Sequence, residues 1–353
     1  MWVRVDAAGN LRGRTGEGPA VMIGSHLDTV PDAGAYDGVL GVVVAITLVE
    51  LLGRSALPVE VEVVGFSEEE GVRFGTPFIG SRALVGDADD VLSCVDGNGL
   101  SVRHALQAYG LDPGALDGAR MASDTLGYVE FHIEQGPVLD GLAAPLGVVD
   151  AIAGQSRLEL TFTGGCNHAG TTPMRARHDA LVGAAEWIAL VEQGALATPD
   201  LVSTVGRLQV LPNTANAING RVVASLDVRH AVDGVRRQAV DGMVATAMAI
   251  AGRRGLGLSH VQLLDQPAVL MDPVLTEALA RAVATSGLPV HRMTSGAGHD
   301  AMVVARQVPT AMLFLRSPGG LSHHPDEQVL EGDVTAALEV GMHLLTHWER
   351  EGA

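Results

Sequence analysis

The feature that most restricts this chain is a short apolar run, Val21-Met22-Ile23, that ends in His26. A Gly- and Pro-rich loop carrying Asp28 and Asp37 follows it, and then the apolar stretch Val39 to Leu52. A buried strand, a polar loop and an apolar helix form the unit from which α/β sheets are built. Loops at the carboxyl ends of such strands are where these sheets place their ligands. His26 and Asp28 are two residues apart, so on a strand both would point to one face. That suits a histidine metal ligand whose second ring nitrogen is tied down by a carboxylate.

The same unit recurs downstream. Val59 to Phe66 alternates and then turns apolar, which predicts a second strand. It delivers Ser67-Glu68-Glu69-Glu70-Gly71 to the same sheet edge. Three adjacent acids alone read as a solvated turn; after a buried strand parallel to the first they become candidate ligands. Tyr128 to Ile133 predicts a third strand, with His132 and Glu134 at its end.

From residue 156 the pattern changes. RLELTFTG alternates as a half-exposed strand does, followed by a helix over 178–191 and strands over 202–211 and 221–228. A helix over 233–253 and a strand over 256–264 complete a βαββαβ order. That order predicts a small sheet with its helices on one face. It is inserted into the first domain, because apolar helix–strand alternation returns from Asp272 with helices over 273–286, 299–306 and 331–348 and a strand over 310–315. The expectation is therefore a discontinuous mixed-sheet α/β/α domain, 1–153 with 267–353, and an inserted domain, 154–266.

Composition narrows the function. The formal charge of −18 argues against nucleic acid, which requires a basic footprint. Every basic residue is an arginine, which removes lysine Schiff-base chemistry and the lysine of phosphate-binding loops. Cys94 and Cys166 have no metal-type spacing and read as reduced thiols. MWVRVDAAGN lacks the apolar core of a signal peptide, and Val39 to Leu52 is too short to span a bilayer. A soluble, cytoplasmic protein is expected.

His26, Asp37, Glu69, Glu70, His132 and His323 each follow a strand or sit on a loop. Histidine and carboxylate without cysteine suits Zn, Mn, Co or Ni. Three histidines and two carboxylates exceed the needs of one catalytic zinc, but suffice for two ions roughly 3.5–4 Å apart with a bridging carboxylate. The remaining glutamate could then act as general base. Spacing does not decide which acid does what.

Read together, HLDTVPDAGAYDGVLG, FSEEEGVRFGTPFIGSRALVG, HIEQGPVLD, GGCNHAGTTPMRARHDAL, PNTANAINGRVVASLDVRH, SGAGHDAM and LSHHPDEQV resemble the hydantoinase/carbamoylase family. These are bimetallic amidohydrolases that include N-carbamoyl-L-amino acid hydrolases, allantoate amidohydrolases and β-ureidopropionases. They belong to the wider group of zinc aminoacylases and carboxypeptidase G-type peptidases. HIEQG and HAGTTPM are specific to the branch, whereas HxD with a double glutamate marks only the wider group.

The resemblance implies a zinc-peptidase-like catalytic domain and a lid/dimerisation domain at 154–266. His26 and His132 would be terminal metal ligands, Asp37 the bridge, Glu70 a further ligand, His323 the residue completing the second metal and Glu69 the base. Asp28 would orient a ligand from behind. His168 would polarise the substrate carbonyl, and Asn216 and Arg229 would hold its carboxylate, the arginine through its planar fork. Gln135, Gly296 and Gly298 would line the substrate end. Arg229 by itself reads equally well as a surface charge.

The implied reaction is hydrolysis of a ureido or amide C–N bond beside a small carboxylate, by a homodimer in which the histidine crosses into the partner's site. A dipeptidase or aminoacylase on the same fold and an inactive binding relative are the alternatives. Members of the family begin with a helical segment ahead of the DAAGN hairpin, and this sequence starts almost at that hairpin.

Overall fold

The computed structural model describes residues 1–53 and 57–348. Residues 349–353, which the sequence reading assigns to the discontinuous domain, lie outside the described residues. The chain begins with β1 (Trp2–Val5), β2 (Leu11–Arg14), β3 (Ala20–His26), α1 (Val39–Leu52) and β4 (Glu60–Phe66). Next come α2 (Ile79–Leu84), α3 (Val102–Tyr109), β5 (Thr125–Ile133), α4 (Val138–Gly141) and β6 (Leu146–Ile152). The middle of the chain forms β7 (Gly154–Thr163), α5 (Ala180–Leu196), β8 (Val202–Thr204), β9 (Leu208–Leu211), β10 (Arg221–His230), α6 (Asp233–Arg254) and β11 (Gly257–Gln266). It closes with β12 (Val269–Leu270), α7 (Pro273–Thr285), β13 (Arg292–Ser295), α8 (Asp300–Val304), β14 (Thr310–Leu315) and α9 (Glu331–Thr346).

Two compact units result: Met1–Ile152 with the chain from Leu270 on, and Ala153–Val269. In the first, a mixed sheet runs in the order β1-β2-β4-β3-β5-β14-β6-β12, with β13 also pairing β6. Its centre, β4-β3-β5-β14, is parallel, and the β1-β2 hairpin joins β4 antiparallel. Every residue of β3 and of β14 is buried. Continuous apolar strands of this kind belong to a parallel sheet covered on both faces. One face packs against α1, α7 and α9 through Leu48, Phe131, Leu279, Leu313 and Val340. A separate cluster around Ile79, Val91 and Val102 gathers α2, α3 and their connecting turns.

Gly41 lets α1 lie directly on β5, since a Cβ there would come 2.1 Å from the Phe131 carbonyl oxygen. This seats the start of α1, and the loop before it, against the carboxyl end of the parallel strands.

The second unit is a five-stranded antiparallel sheet, β11-β7-β10-β8 with β9 also on β10. Leu158, Leu160 and Phe162 alternate inward on β7 and meet Val222, Ala224 and Leu226 of β10 and Trp187 of α5. Period-two alternation on the strands and apolar helices thus give a βαβββαβ order, one strand more than the βαββαβ expected from sequence. The single strand expected over 202–211 is two: Ser225 breaks it by accepting from the Arg207 amide through its hydroxyl while donating its own amide to the Arg207 carbonyl. No helix among the described residues is long and apolar enough to cross a membrane.

β6, β13 and α2 were not legible. Gly147 and Asp150 interrupt the apolar pattern of β6, and β13 carries one apolar residue among four.

Candidate functional site

The candidate ligands converge at the carboxyl ends of the four central parallel strands. His26 ends β3, and His132 lies one residue before the end of neighbouring β5. Their Nε2 atoms are 3.4 Å apart. Asp37 comes from the β3–α1 loop, Glu69 and Glu70 from the loop after β4, and His323 from the loop between β14 and α9. Gly38, at φ 68°, begins α1 so close to β3 that a Cβ would lie 2.3 Å from His26 Nδ1. Only glycine accepts both that backbone angle and that approach, and it brings Asp37 against the imidazole.

These residues divide into two groups sharing Asp37: His26, Asp37 and His132, and Asp37, Glu70 and His323. Asp37 Oδ1 is 3.6 Å from His26 Nε2 and 3.2 Å from His132 Nε2. Asp37 Oδ2 is 3.0 Å from His323 Nε2, which is 3.6 Å from Glu70 Oε1. A third grouping, His26, Glu69 and Glu70, is also compact, with Glu69 Oε2 3.9 Å from His26 Nε2.

The donor set fits divalent cations. His26 Nδ1 lies 2.7 Å from the Asp28 carbonyl oxygen and His132 Nδ1 lies 2.9 Å from that of Ile133. A carbonyl can only accept, so each Nδ1 carries a proton and each Nε2 is turned toward Asp37. Among the described residues, the buried Asp37 Oδ1 and Glu70 Oε1 accept no hydrogen bond, a costly arrangement unless positive charge sits there.

Burial pulls the His26 imidazole down, but Asp37, Glu69 and Asp300 outweigh it and move it well above its usual value. Burial pushes Asp37 up, but the nearness of His132 and His26 holds it far below the carboxylate range. Glu69 is driven well up by burial, against the pull of His26 and with the push of Asp300 and Glu70. Glu70 is raised by burial and by Asp37.

One expectation changes in detail. β3 ends at His26, so the two-residue strand argument does not reach Asp28. Asp28 holds His26 through its backbone carbonyl, its carboxylate standing 3.9 Å from Nδ1. That carboxylate instead accepts the amides of Glu69 and Glu70, at 3.0 and 3.1 Å. Gln135, expected at the substrate end, also donates to Asp37 Oδ2 at 3.1 Å. Its positive φ of 57° is framed by the Ser317 hydroxyl on its amide and by Glu134, which accepts the amides of Val138 and Leu139. Gly296 and Gly298 lie on the β13–α8 loop, where a Cβ on Gly298 would come 3.0 Å from Phe78.

Below the ligands lies a polar layer that sequence reasoning missed. Glu130, wholly buried on β5, accepts from Ser25 Oγ at 2.9 Å and from the Ala301 amide at 2.8 Å. His299 packs edge-on against His132 with centroids 4.5 Å apart and contacts Ser295 Oγ at 2.8 Å. Asp300 is fully buried and pushed well up by burial and the Glu130 charge. The available signal was a charge inside an otherwise apolar strand, Glu130 two residues before His132.

Within the second unit, the loop carrying His168 pairs with the loop carrying Asn216. His168 bridges Ala217, and the Ala169 amide donates to the Asn216 carbonyl at 2.9 Å. Both side chains are exposed. Arg229 lies on β10 beside Asp227, with Nε 2.9 Å from Oδ1 and the other arm 3.3 Å from Oδ2.

A mixed-sheet α/β fold with three histidines and carboxylates gathered about one shared aspartate defines the class: an α/β protein whose gathered side chains could hold divalent cations. The chain belongs to peptidase family M20/M25/M40, whose model matches residues 22–347. It is 41% identical over 374 residues to an allantoate deiminase of Arabidopsis thaliana, covering 94% of this chain and 71% of that protein. It is 39% identical over 357 residues to an N-carbamoyl-L-amino acid amidohydrolase of Geobacillus stearothermophilus, covering 99% and 87%. A hydantoinase/carbamoylase family amidase from Burkholderia ambifaria superposes with a TM-score of 0.91 at 33% identity, covering 98% of this chain and 85% of that one.

Proposed function

We propose that this chain is a metal-dependent hydrolase that cleaves the linear ureido or amide C–N bond of a small carboxylate, an N-carbamoyl-L-amino acid or allantoate. The observation that carries the reading is the pair of ligand groups sharing Asp37, with Glu69 beside them and outside both. The names of the relatives, allantoate deiminase and N-carbamoyl-L-amino acid amidohydrolase, favour a ureido substrate over a dipeptide, and give no support to an inactive binding role.

In this reading His26, Asp37 and His132 hold one ion and Asp37, Glu70 and His323 the other. Two divalent ions, Zn or Mn, Co or Ni, supply Lewis acidity toward water and toward the substrate carbonyl. Glu69 takes the proton of the attacking water and gives it to the leaving nitrogen. His168 stabilises the oxygen charge that develops on the carbonyl. Asn216 and Arg229 bind the carboxylate, and Gln135, Gly296 and Gly298 border the substrate. With an N-carbamoyl amino acid the products are carbon dioxide, ammonia and the free amino acid.

A substrate panel read by ammonia release tests this. Turnover of N-carbamoyl amino acids or allantoate supports the reading; release of amino acids from dipeptides with no ammonia from ureido substrates refutes it. Homodimerisation through residues 154–266, with His168 acting in the partner's site, is part of the same proposal. Glu69→Gln and His168→Ala, each inactive alone, should then regain activity as a co-purified heterodimer. A silent, folded and metal-loaded heterodimer refutes that part.

A further inference from the structure

The second ligand group contains the most exposed member of the set. The His323 side chain is 48% exposed, against 1% for Asp37 and 12% for Glu70. His323 also carries a left-handed backbone, φ 54°, which an L residue holds only when its surroundings enforce it. Something has to fix this loop relative to the loop of Asp37.

Glu327 does so. It is 4% exposed, it belongs to neither ligand group, and its carboxylate spans the two loops. Oε1 accepts the backbone amides of Tyr36 and Asp37, each at 3.1 Å. Oε2 accepts from Ser322 Oγ, the residue before His323, at 3.0 Å. The fit leaves no slack, since a Cβ on Gly34 would lie 2.3 Å from Glu327 Cβ. The base of the His323 loop is closed separately by Arg316, whose fork meets Asp333 at 2.9 and 2.8 Å. By contrast, His26 and His132 of the first group are carried on adjacent buried strands and need no such brace.

We propose that Glu327 is a positioning residue for the second cation, holding Asp37 and His323 at the spacing that cation requires. The inference rests on the two-metal reading above. Residues behind metal ligands typically change metal affinity by roughly 10–100-fold when removed, and here the change should fall on one ion of the two.

The test measures Zn²⁺ or Co²⁺ bound per chain against buffered free metal, with circular dichroism to confirm folding. Wild type, Glu327→Ala, Glu327→Gln and Ser322→Ala are compared. Wild type should bind two ions. Glu327→Ala should keep one unchanged and bind the other roughly 10–100-fold more weakly. Glu327→Gln should rescue the second ion, because its amide oxygen accepts both backbone N–H groups while its nitrogen donates to Ser322 Oγ. Ser322→Ala should weaken the same ion by less, and it carries the test if Glu327→Ala does not fold.

Unchanged affinity for both ions in Glu327→Ala or in Ser322→Ala overturns the proposal. So does equal weakening of both ions, or a Glu327→Gln variant as defective as the alanine. A wild type that binds no ion refutes the two-metal reading first and this inference with it, whereas two ions bound with wild-type affinity in every variant refutes this inference alone.

Discussion

Replacing Glu69 with glutamine should separate catalysis from metal binding and from stability. The change keeps shape and hydrogen-bonding reach at a side chain only 8% exposed, and removes the ability to take a proton. A positioned general base is worth about 10²–10⁴ in rate, and at 1.36 kcal/mol per decade this is roughly 3–5 kcal/mol of transition-state stabilisation. Metal content should stay near that of wild type, because the two groups around Asp37 do not include Glu69. Stability should not fall. Burial holds the Glu69 carboxyl well above its ordinary 4.5, so its contribution is fully present below that pH and is lost as pH rises through the folded value. At neutral pH the neutral amide removes that penalty, and the metal-free variant should melt at or above wild type. Steady-state ammonia release, metal analysis and thermal denaturation read the three effects. If Glu69→Gln sheds an ion while Glu70→Gln does not, the two roles are reversed; if kcat is unchanged, the base lies elsewhere.

Chelation should abolish turnover, and Zn, Mn, Co or Ni should restore it; full activity in metal-free protein would remove the whole assignment. The metal-free protein should lose stability as pH rises above 4.5 and on through the raised folded values of Glu69 and His26. The raised His26 contributes stability that is complete below its unfolded 6.5 and fades as pH climbs through its higher folded value, and Glu69 acts in the same direction. Asp37, held low, opposes this only below 3.8. Because ligands must lose protons to bind metal, affinity should rise across the same range, and a melting temperature independent of pH without metal would contradict the argument. Arg229→Lys keeps the charge and loses the planar fork, so KM for carboxylate substrates should rise. An unchanged KM would return Arg229 to the surface-charge reading.

Much of the architecture is written locally. A largely apolar strand that leads into a polar loop is the local mark of β3, β4 and β5, which is why His26, the Glu69-Glu70 pair and His132 were legible as candidates in the sequence. Alternation of apolar and polar residues, clearest on β7, marks the inserted sheet just as directly, because side chains on a strand change face at every residue. What escaped the sequence depends on which distant segments become neighbours. β6 and β13 are held by pairing partners rather than by their own patterns. Asp28 has its role because the chain leaves the strand at His26, turning its carboxylate to the amides after β4. Glu130 and Asp300 become a buried acidic layer only once both faces of the sheet are covered. Glu327 bonds to amides 290 and 291 positions away. Periodicity reports whether a residue faces a core, whereas strand order decides which loops meet at the carboxyl edge, and hydrogen bonds of a few ångströms act only after that meeting.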